Sequence, residues 1–569
     1  MNWKALILSA AAFASISSTA MAGEHRGGRH GSHAVKHVLL ISVDGMHQVD
    51  LANWIANNPD SNLAHLSATS VIYSDAHTTT PSDSFPGLLS MVTGGTPKST
   101  GVYYDDSYDR TLYAPGSNCT GNPGIEAVFD ESIEYDSSKL FSGGINPANL
   151  PMRKTSNGAC KPVYPHGFIK VNTVFEVIKD AGGRTAWADK HPAYDLVNGP
   201  SGSGVDDLYA PEVNSLISNG GTANGVDLNA TLLLCDGINS LPVNKVSDYT
   251  TCMPAIEAYD DVKVQAVINQ INGLKSDGSR WLGVPILFGL NFQEVSVGQK
   301  LPVGGYVDDA GTPSVNLNGA LAHTDQSIGR IVGELKTRHL LQSTLIIISA
   351  KHGQSPIDPS TLAMESGGSG NATVQDPSGF IAAADPTIDS PSSFTNPNSG
   401  ATLSTNGHLQ TDDVGLVWLQ NQSSSNIANV VAELQNNTSA IFADTLPTGT
   451  ILPGSITSGS GLAALFGDPT SSDPIAAARA PNVFIQPNAG VIYSGSSKKI
   501  AEHGGGSLND TGVALMVSFP SLKARTVSTK VSTTQVAPTI LKELMLNPKA
   551  LEAVRKEGTK TLPELFGHD

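Results

Sequence analysis

Ser84 stands in the run Pro81-Ser82-Asp83-Ser84-Phe85-Pro86-Gly87, with an apolar stretch to Val92 and then Thr93-Gly94-Gly95. Proline inside a first turn and glycine after a last turn predict a helix over 84–92. A hydroxyl at a helix N-terminus meets free N–H groups and the positive end of the helix dipole, so it is placed to act on an anion. The plain alternative for one such serine is an N-cap. Ester hydrolysis at phosphorus or sulfur needs more: positive charge for the equatorial oxygens and a way to activate water.

Residues of the required types recur at one kind of position. Asp44-Gly45 ends the apolar run 37–43 (HVLLISV), Asn291 follows 285–290 (PILFGL), and Lys351-His352-Gly353 follows 344–349 (TLIIIS). His503-Gly504-Gly505 comes shortly before a further apolar run, 513–518. Such runs predict buried parallel strands, and open α/β sheets place their sites just beyond the carboxyl ends of such strands.

The elements that must hold these residues alternate. Helical patterns cover 173–181, 262–274, 320–335 and 533–546, with a short strand at 185–187 between the first two. The pattern predicts an α/β fold with a mostly parallel central sheet flanked by helices. Two segments interrupt it. Residues 105–165 are rich in Asp, Tyr, Gly and Pro. Residues 360–495 begin as a Ser/Gly/Pro/Asp-rich stretch and then offer a strand at 414–419, a helix at 426–435 and a strand at 482–485, which reads as an inserted cap.

Composition bounds the remainder. The chain has 569 residues, 39% of them hydrophobic, with 57 Gly and 34 Pro, as in a large loop-rich enzyme. Residues 1–22 read as a signal peptide cleaved near Ala22-Gly23, 23–35 as a flexible leader and 36–569 as one hydrolase domain, so the protein is expected outside the cytoplasm, secreted or periplasmic. No later segment is long and apolar enough for a membrane helix. A formal charge of −17 opposes binding of duplex nucleic acid. Cys119, Cys160, Cys235 and Cys252 suit two disulfides; chain order suggests pairing the first two and the last two, and three connectivities are open.

Read together and in order, SVDG (42–45), PSDSFPG with Thr93-Gly94, AKHG (350–353), EHGG (502–505) and TTQVAPTILKEL (533–544) resemble the alkaline phosphatase superfamily, in its type I phosphodiesterase/nucleotide pyrophosphatase branch. The resemblance implies an alkaline-phosphatase-like fold and a phosphoric ester hydrolase acting on a small-molecule phosphoester. It implies Ser84 as nucleophile, in place of the family's usual threonine, and as a metal ligand with Asp44, His352 and His503. The departures lie at the remaining ligands. Lys351 stands where the family has aspartate, Asn291 and Val295 stand for an aspartate and a histidine, and a phosphate-contacting asparagine falls on Asp105. Asn291 or Glu294 is left as the further ligand of the second position. One divalent ion (Zn²⁺, or Ca²⁺ or Mg²⁺) is therefore expected rather than two, with Lys351 supplying positive charge and bonding the Ser84 oxygen.

Other residues invite a role. His191, in Trp187-Ala188-Asp189-Lys190-His191-Pro192, is a candidate for the substrate wall. Asp510 is placed to orient His503. Asp206-Asp207 and Asp412-Asp413 read as Ca²⁺ pairs or as solvated turns. His323 reads as surface, Asp325 as a cap or ion-pair residue, and Met46 and Met91 as core. Two alternatives stand beside the phosphoesterase. One is a secreted binding protein that kept the fold and lost its metals. The other is a sulfatase- or phosphonate-directed hydrolase, opposed by the lack of an arginine in Ser84-Phe85-Pro86-Gly87-Leu88.

Overall fold

The computed structural model describes residues 35–566, except 129–132, 134–143, 240–248, 390–392, 398–399, 401 and 444–453. The signal peptide and the leader up to residue 34 lie outside the described residues.

Eight strands form the central sheet: β1 (His37–Val43), β2 (Ser70–Tyr73), β3 (Ala186–Ala188), β4 (Asp207–Tyr209), β5 (Leu287–Phe292), β6 (Thr344–Ser349), β7 (Leu515–Ser518) and β8 (Arg525–Val527). Their order is β8-β2-β7-β6-β1-β5-β3-β4. All pairings are parallel except the two made by β7. The sheet is mostly parallel, as the run pattern predicts. β1 is apolar throughout because it is covered on both faces: Val38 and Leu40 pack into one core, Leu39, Ile41 and Val43 into the other.

Helices α1 (Ser84–Thr93) and α4 (Val536–Glu543) contribute to the first core, α2 (Met253–Ile271) and α3 (Val315–Thr337) to the second. The helix expected over 262–274 begins nine residues earlier, at Met253, with Pro254 in its first turn; its sequence is apolar on more than one side, which blurs the period on which the reading relied. The C-terminal stretch expected as one helix over 533–546 is a 3₁₀ turn, Thr533–Gln535, leading into α4.

Within the segment 360–495 lies an antiparallel four-stranded sheet of Gly407–Thr411, Gly415–Leu419, Val483–Gln486 and Ser455–Ser458, with helix Ser424–Asn436 on it. Arg479, the last residue of helix Pro474–Arg479, is buried and reaches the Asp109 carboxylate and the carbonyls of Gly101 and Phe168, which ties this helix to the chain that follows α1. Two disulfides, Cys119–Cys160 and Cys235–Cys252, adopt the pairing suggested by chain order. Among the described residues no helix is long and apolar enough to cross a membrane.

Candidate active site

The register of the sheet levels the candidate residues. Ser42 pairs with Asn291 of β5 on one side and with Ser349 of β6 on the other. Asp44, Asn291 and Lys351-His352 therefore emerge together at the carboxyl edge. Gly45 turns the chain sharply after Asp44, at φ +77°.

α1 is brought against that edge by Gly87, where a Cβ would stand 2.0 Å from the Lys351 carbonyl oxygen. Its N-cap is Asp83, whose carboxylate accepts from the Phe85 amide. Ser84 is thus the first helical residue and is relieved of capping. Its Oγ lies 3.2 Å from His352 Nε2 and 3.1 Å from Lys190 Nζ. His352 Nδ1 donates to the Gly353 carbonyl at 2.8 Å, so in the neutral ring Nε2 is the acceptor for the Ser84 proton. Burial, opposed by Asp44, pushes the His352 imidazole down to about 3 and keeps it neutral.

Two ammoniums and two carboxylates form the floor. Lys190 Nζ donates to Asp44 Oδ2 at 2.9 Å, and Asn291 Nδ2 donates to the same oxygen at 3.1 Å. Lys351 Nζ donates to Asp189 Oδ1 at 2.9 Å and lies over the Tyr194 ring, 3.8 Å from its centre. Burial alone would raise the Asp44 carboxyl, but Lys190 and Lys351 hold it well below the usual carboxylate range. Burial pushes Lys351 down to about 8. Lys190 goes the other way: burial is outweighed by Asp44, which raises it.

The expected residues divide. Asp44, Ser84, Lys351, His352 and Asn291 do converge. His503 lies beside His352, ring centres 3.9 Å apart and the rings tilted by 35°, and its Nδ1 faces Asp83 Oδ1 at 3.6 Å. Asp105 and His191 line the cavity of about 260 Å³ that opens onto Ser84, with Tyr194 and, at the rim, Lys300, Lys498 and Lys499. Glu294 faces away, bonded to His323 and Thr324. His323 is accordingly not a free surface residue. Asp325 accepts from the amides of Asn62 and Leu63, a cap on a neighbouring helix. Asp510 caps its own turn through the Ser507 amide and does not reach His503. Asp206 and Asp207 bond Thr185, Lys179, Gln270 and Ser276, and Asp412 takes the Tyr104 hydroxyl. Met46 and Met91 are core.

The bond to the Ser84 oxygen that the sequence reading gives to Lys351 is made by Lys190. Lys190 follows the carboxyl end of β3, the same kind of position that marked Asp44 and Lys351. β3 has only three residues, and the short strand expected at 185–187 marked no catalytic residue beyond its end.

The residues present do not fit the divalent ion expected here. The lysine at 351 brings a positive charge where a ligand is needed, Asn291 presents its NH₂ group to Asp44, and Val295 is buried and apolar. Asp44 Oδ1 carries no hydrogen bond, but Lys351 Nζ and His352 Nε2 both stand 3.9 Å from it. Among the described residues one group brings three His, Asp or Glu ligand atoms within 4.8 Å of one another, and it lies elsewhere: Asp106, Glu126 and His408, where the hairpin after α1 meets the segment 360–495.

No curated protein sequence matches the chain. Among solved structures, a variant of the alkaline phosphatase PafA aligns with a TM-score of 0.58 at 13% identity, over 94% of this chain and 99% of that one. Murine ectonucleotide pyrophosphatase / phosphodiesterase 5 aligns with a TM-score of 0.49 at 12% identity, over 90% and 96%. The first of these likenesses supports an alkaline-phosphatase-like fold. Residues 38–193 and 296–506, more than half of the chain and including Asp44, Ser84, Lys190, His352 and His503, match the sequence pattern of Type I phosphodiesterase / nucleotide pyrophosphatase. The chain therefore belongs to the type I phosphodiesterase/nucleotide pyrophosphatase family and is a hydrolase of phosphoric esters.

Proposed function

We propose that the protein is exported and cleaves small-molecule phosphoric esters through a phosphoryl group carried on Ser84. The observation that carries this reading is the position of the Ser84 hydroxyl, uncapped at a helix N-terminus between the His352 Nε2 acceptor and the Lys190 ammonium. Ser84 Oγ attacks phosphorus and its proton passes to His352 Nε2. The bond from phosphorus to the leaving oxygen breaks, and that oxygen takes a proton from solvent in the open cavity. His352 releases its proton to the solvent, water then attacks the phosphoserine as one of its protons passes to His352 Nε2, the Oγ–phosphorus bond breaks, and Ser84 Oγ takes that proton from His352. The ammoniums of Lys190 and Lys351 offset charge on the equatorial oxygens. Asp105, His191 and His503 face the ester's substituent; of the further lysines that line the cavity, Lys300 and Lys499 are paired with Glu502.

Export is supported by the N-terminal signal pattern and two disulfides. No step is assigned to a divalent ion, because the donor set around Asp44 does not suit one. The binding-protein alternative predicts retention of phosphate esters without turnover. The test is hydrolysis of p-nitrophenyl phosphate and bis-p-nitrophenyl phosphate by the purified mature protein beside Ser84→Ala. Turnover abolished in a folded Ser84→Ala supports the reading, and the better ester names the class. Turnover that survives in Ser84→Ala excludes Ser84 as nucleophile.

A further inference from the structure

We infer that the Lys190 ammonium takes the place of a catalytic dication in this pocket, so that the site binds a phosphate-like anion with no metal ion. The inference rests on the reading of Ser84 as the residue that meets phosphorus.

The first argument is position. A cation that activates a serine oxygen must touch that oxygen and be anchored by a carboxylate. Lys190 Nζ does both, at 3.1 Å from Ser84 Oγ and 2.9 Å from Asp44 Oδ2. The second is charge. The floor holds two ammoniums and two carboxylates, Lys190 on Asp44 and Lys351 on Asp189, beside a neutral His352. Even with Asp83 as a third carboxylate facing Lys190, a dication added to this balance would leave a buried positive charge without a partner. The third is the donor set: Asp44 and His352 are the carboxylate and imidazole nearest Ser84 Oγ, Asn291 turns its NH₂ group to Asp44, and His503 Nδ1 faces Asp83 Oδ1 at 3.6 Å.

The fourth argument is that Lys190 is held in place. Its amide donates to Asp189 Oδ1 at 2.8 Å, and Asp189 Oδ2 accepts from Trp187 Nε1 at 2.8 Å. The buried Tyr259 hydroxyl donates to the Lys190 carbonyl at 2.7 Å. A long side chain loses less freedom on binding when its backbone and its amine are both fixed, which is the condition for standing in for a rigidly held ion.

The test uses the mature protein purified without added metal. Bound Zn²⁺, Mg²⁺ and Ca²⁺ are measured by elemental analysis, and orthovanadate binding is followed by thermal shift on protein left untreated and on protein treated with EDTA and then freed of it by gel filtration. Four variants accompany it: Lys190→Met, Lys190→Arg, Asp44→Asn and His408→Ala. The expected result is vanadate affinity indifferent to EDTA, lowered about tenfold or more in Lys190→Met and partly restored in Lys190→Arg. Lys190→Met unfolding on its own would leave Lys190→Arg and the EDTA comparison to decide. Metal lost in His408→Ala, with vanadate binding unchanged, also upholds the inference, since that metal sits at the hairpin. Stoichiometric metal that is lost in Asp44→Asn, with vanadate binding abolished by EDTA, overturns it. If no ester is hydrolysed yet vanadate binds in the expected manner, the hydrolytic reading fails and this inference stands. If turnover requires a metal held by Asp44, the hydrolytic reading stands and this inference fails.

Discussion

Lys190 and Asp44 follow strands that are not neighbours, since β5 runs between β3 and β1, yet their Nζ–Oδ2 distance is 2.9 Å. Asn291, at the end of the intervening strand, donates to the same carboxylate oxygen. Three strand ends are thereby tied to one buried carboxylate, and the Ser84 hydroxyl is presented to the ammonium at their centre.

The approach of α1 to that centre depends on Gly87. An added methyl at Gly87→Ala would meet the Lys351 carbonyl at 2.0 Å. Helix and strand end must separate, at a cost of about 1–3 kcal/mol. A shift of about 1 Å between Ser84 and Lys351-His352 should lower kcat/KM by about a hundredfold. Urea unfolding and steady-state kinetics of Gly87→Ala check both; wild-type kcat/KM in the variant would mean that this contact does not set the position of Ser84.

Arg479 ties helix Pro474–Arg479 to the chain that follows α1. It bonds Asp109 at 2.8 Å and two carbonyls at 2.9 and 2.7 Å, and its guanidinium covers the Phe168 ring. Arg479→Met leaves a buried carboxylate without its cation, so stability should fall by about 3–5 kcal/mol in denaturant titration. A loss within about 0.5 kcal/mol would show the tether to be dispensable.

Asp412 gives a pH signature. Burial, with Glu502 adding to it and the Tyr104 hydroxyl and Lys300 opposing, pushes its carboxyl up to about 7. Asp105 and Asp413 face it as well. The folded protein therefore binds this proton more tightly than the unfolded chain, whose carboxyl titrates at about 3.9. The Asp412 contribution to stability falls as pH rises from about 4 to about 7 and is level above that. Asp412→Asn removes the slope. The Tm difference between variant and wild type should grow in the variant's favour across that range, and a difference independent of pH would contradict the assignment.

Strand positions were legible because each central strand with a residue of interest is a continuous apolar run closed by a polar residue; β1, β5 and β6 needed no other signal. Asp44, Ser84, Lys351, His352 and Asn291 follow from those runs and from the helix start at Ser84. Lys190 and Asp189 were not legible as site residues, because β3 is three residues long and their role is fixed by pairing with Asp44 and Lys351, which are distant in sequence. The same holds for Asp83. Sequence alone does not tell which of two adjacent residues caps a helix, and here Asp83 caps and so releases Ser84. Glu294 and Asp510 were drawn toward the site by sequence proximity, while their partners in space are His323 and the Ser507 amide.

The most direct test of the account is to trap the covalent intermediate. Mature protein is mixed with p-nitrophenyl phosphate or its diester, quenched in acid during turnover and digested, and the peptide spanning Ser84 is read by mass spectrometry. A phosphoryl or phosphodiester adduct on Ser84, formed with the release of nitrophenol and missing in Ser84→Ala, is the predicted result. Turnover with an unmodified Ser84 peptide, or with the adduct on another residue, would contradict it.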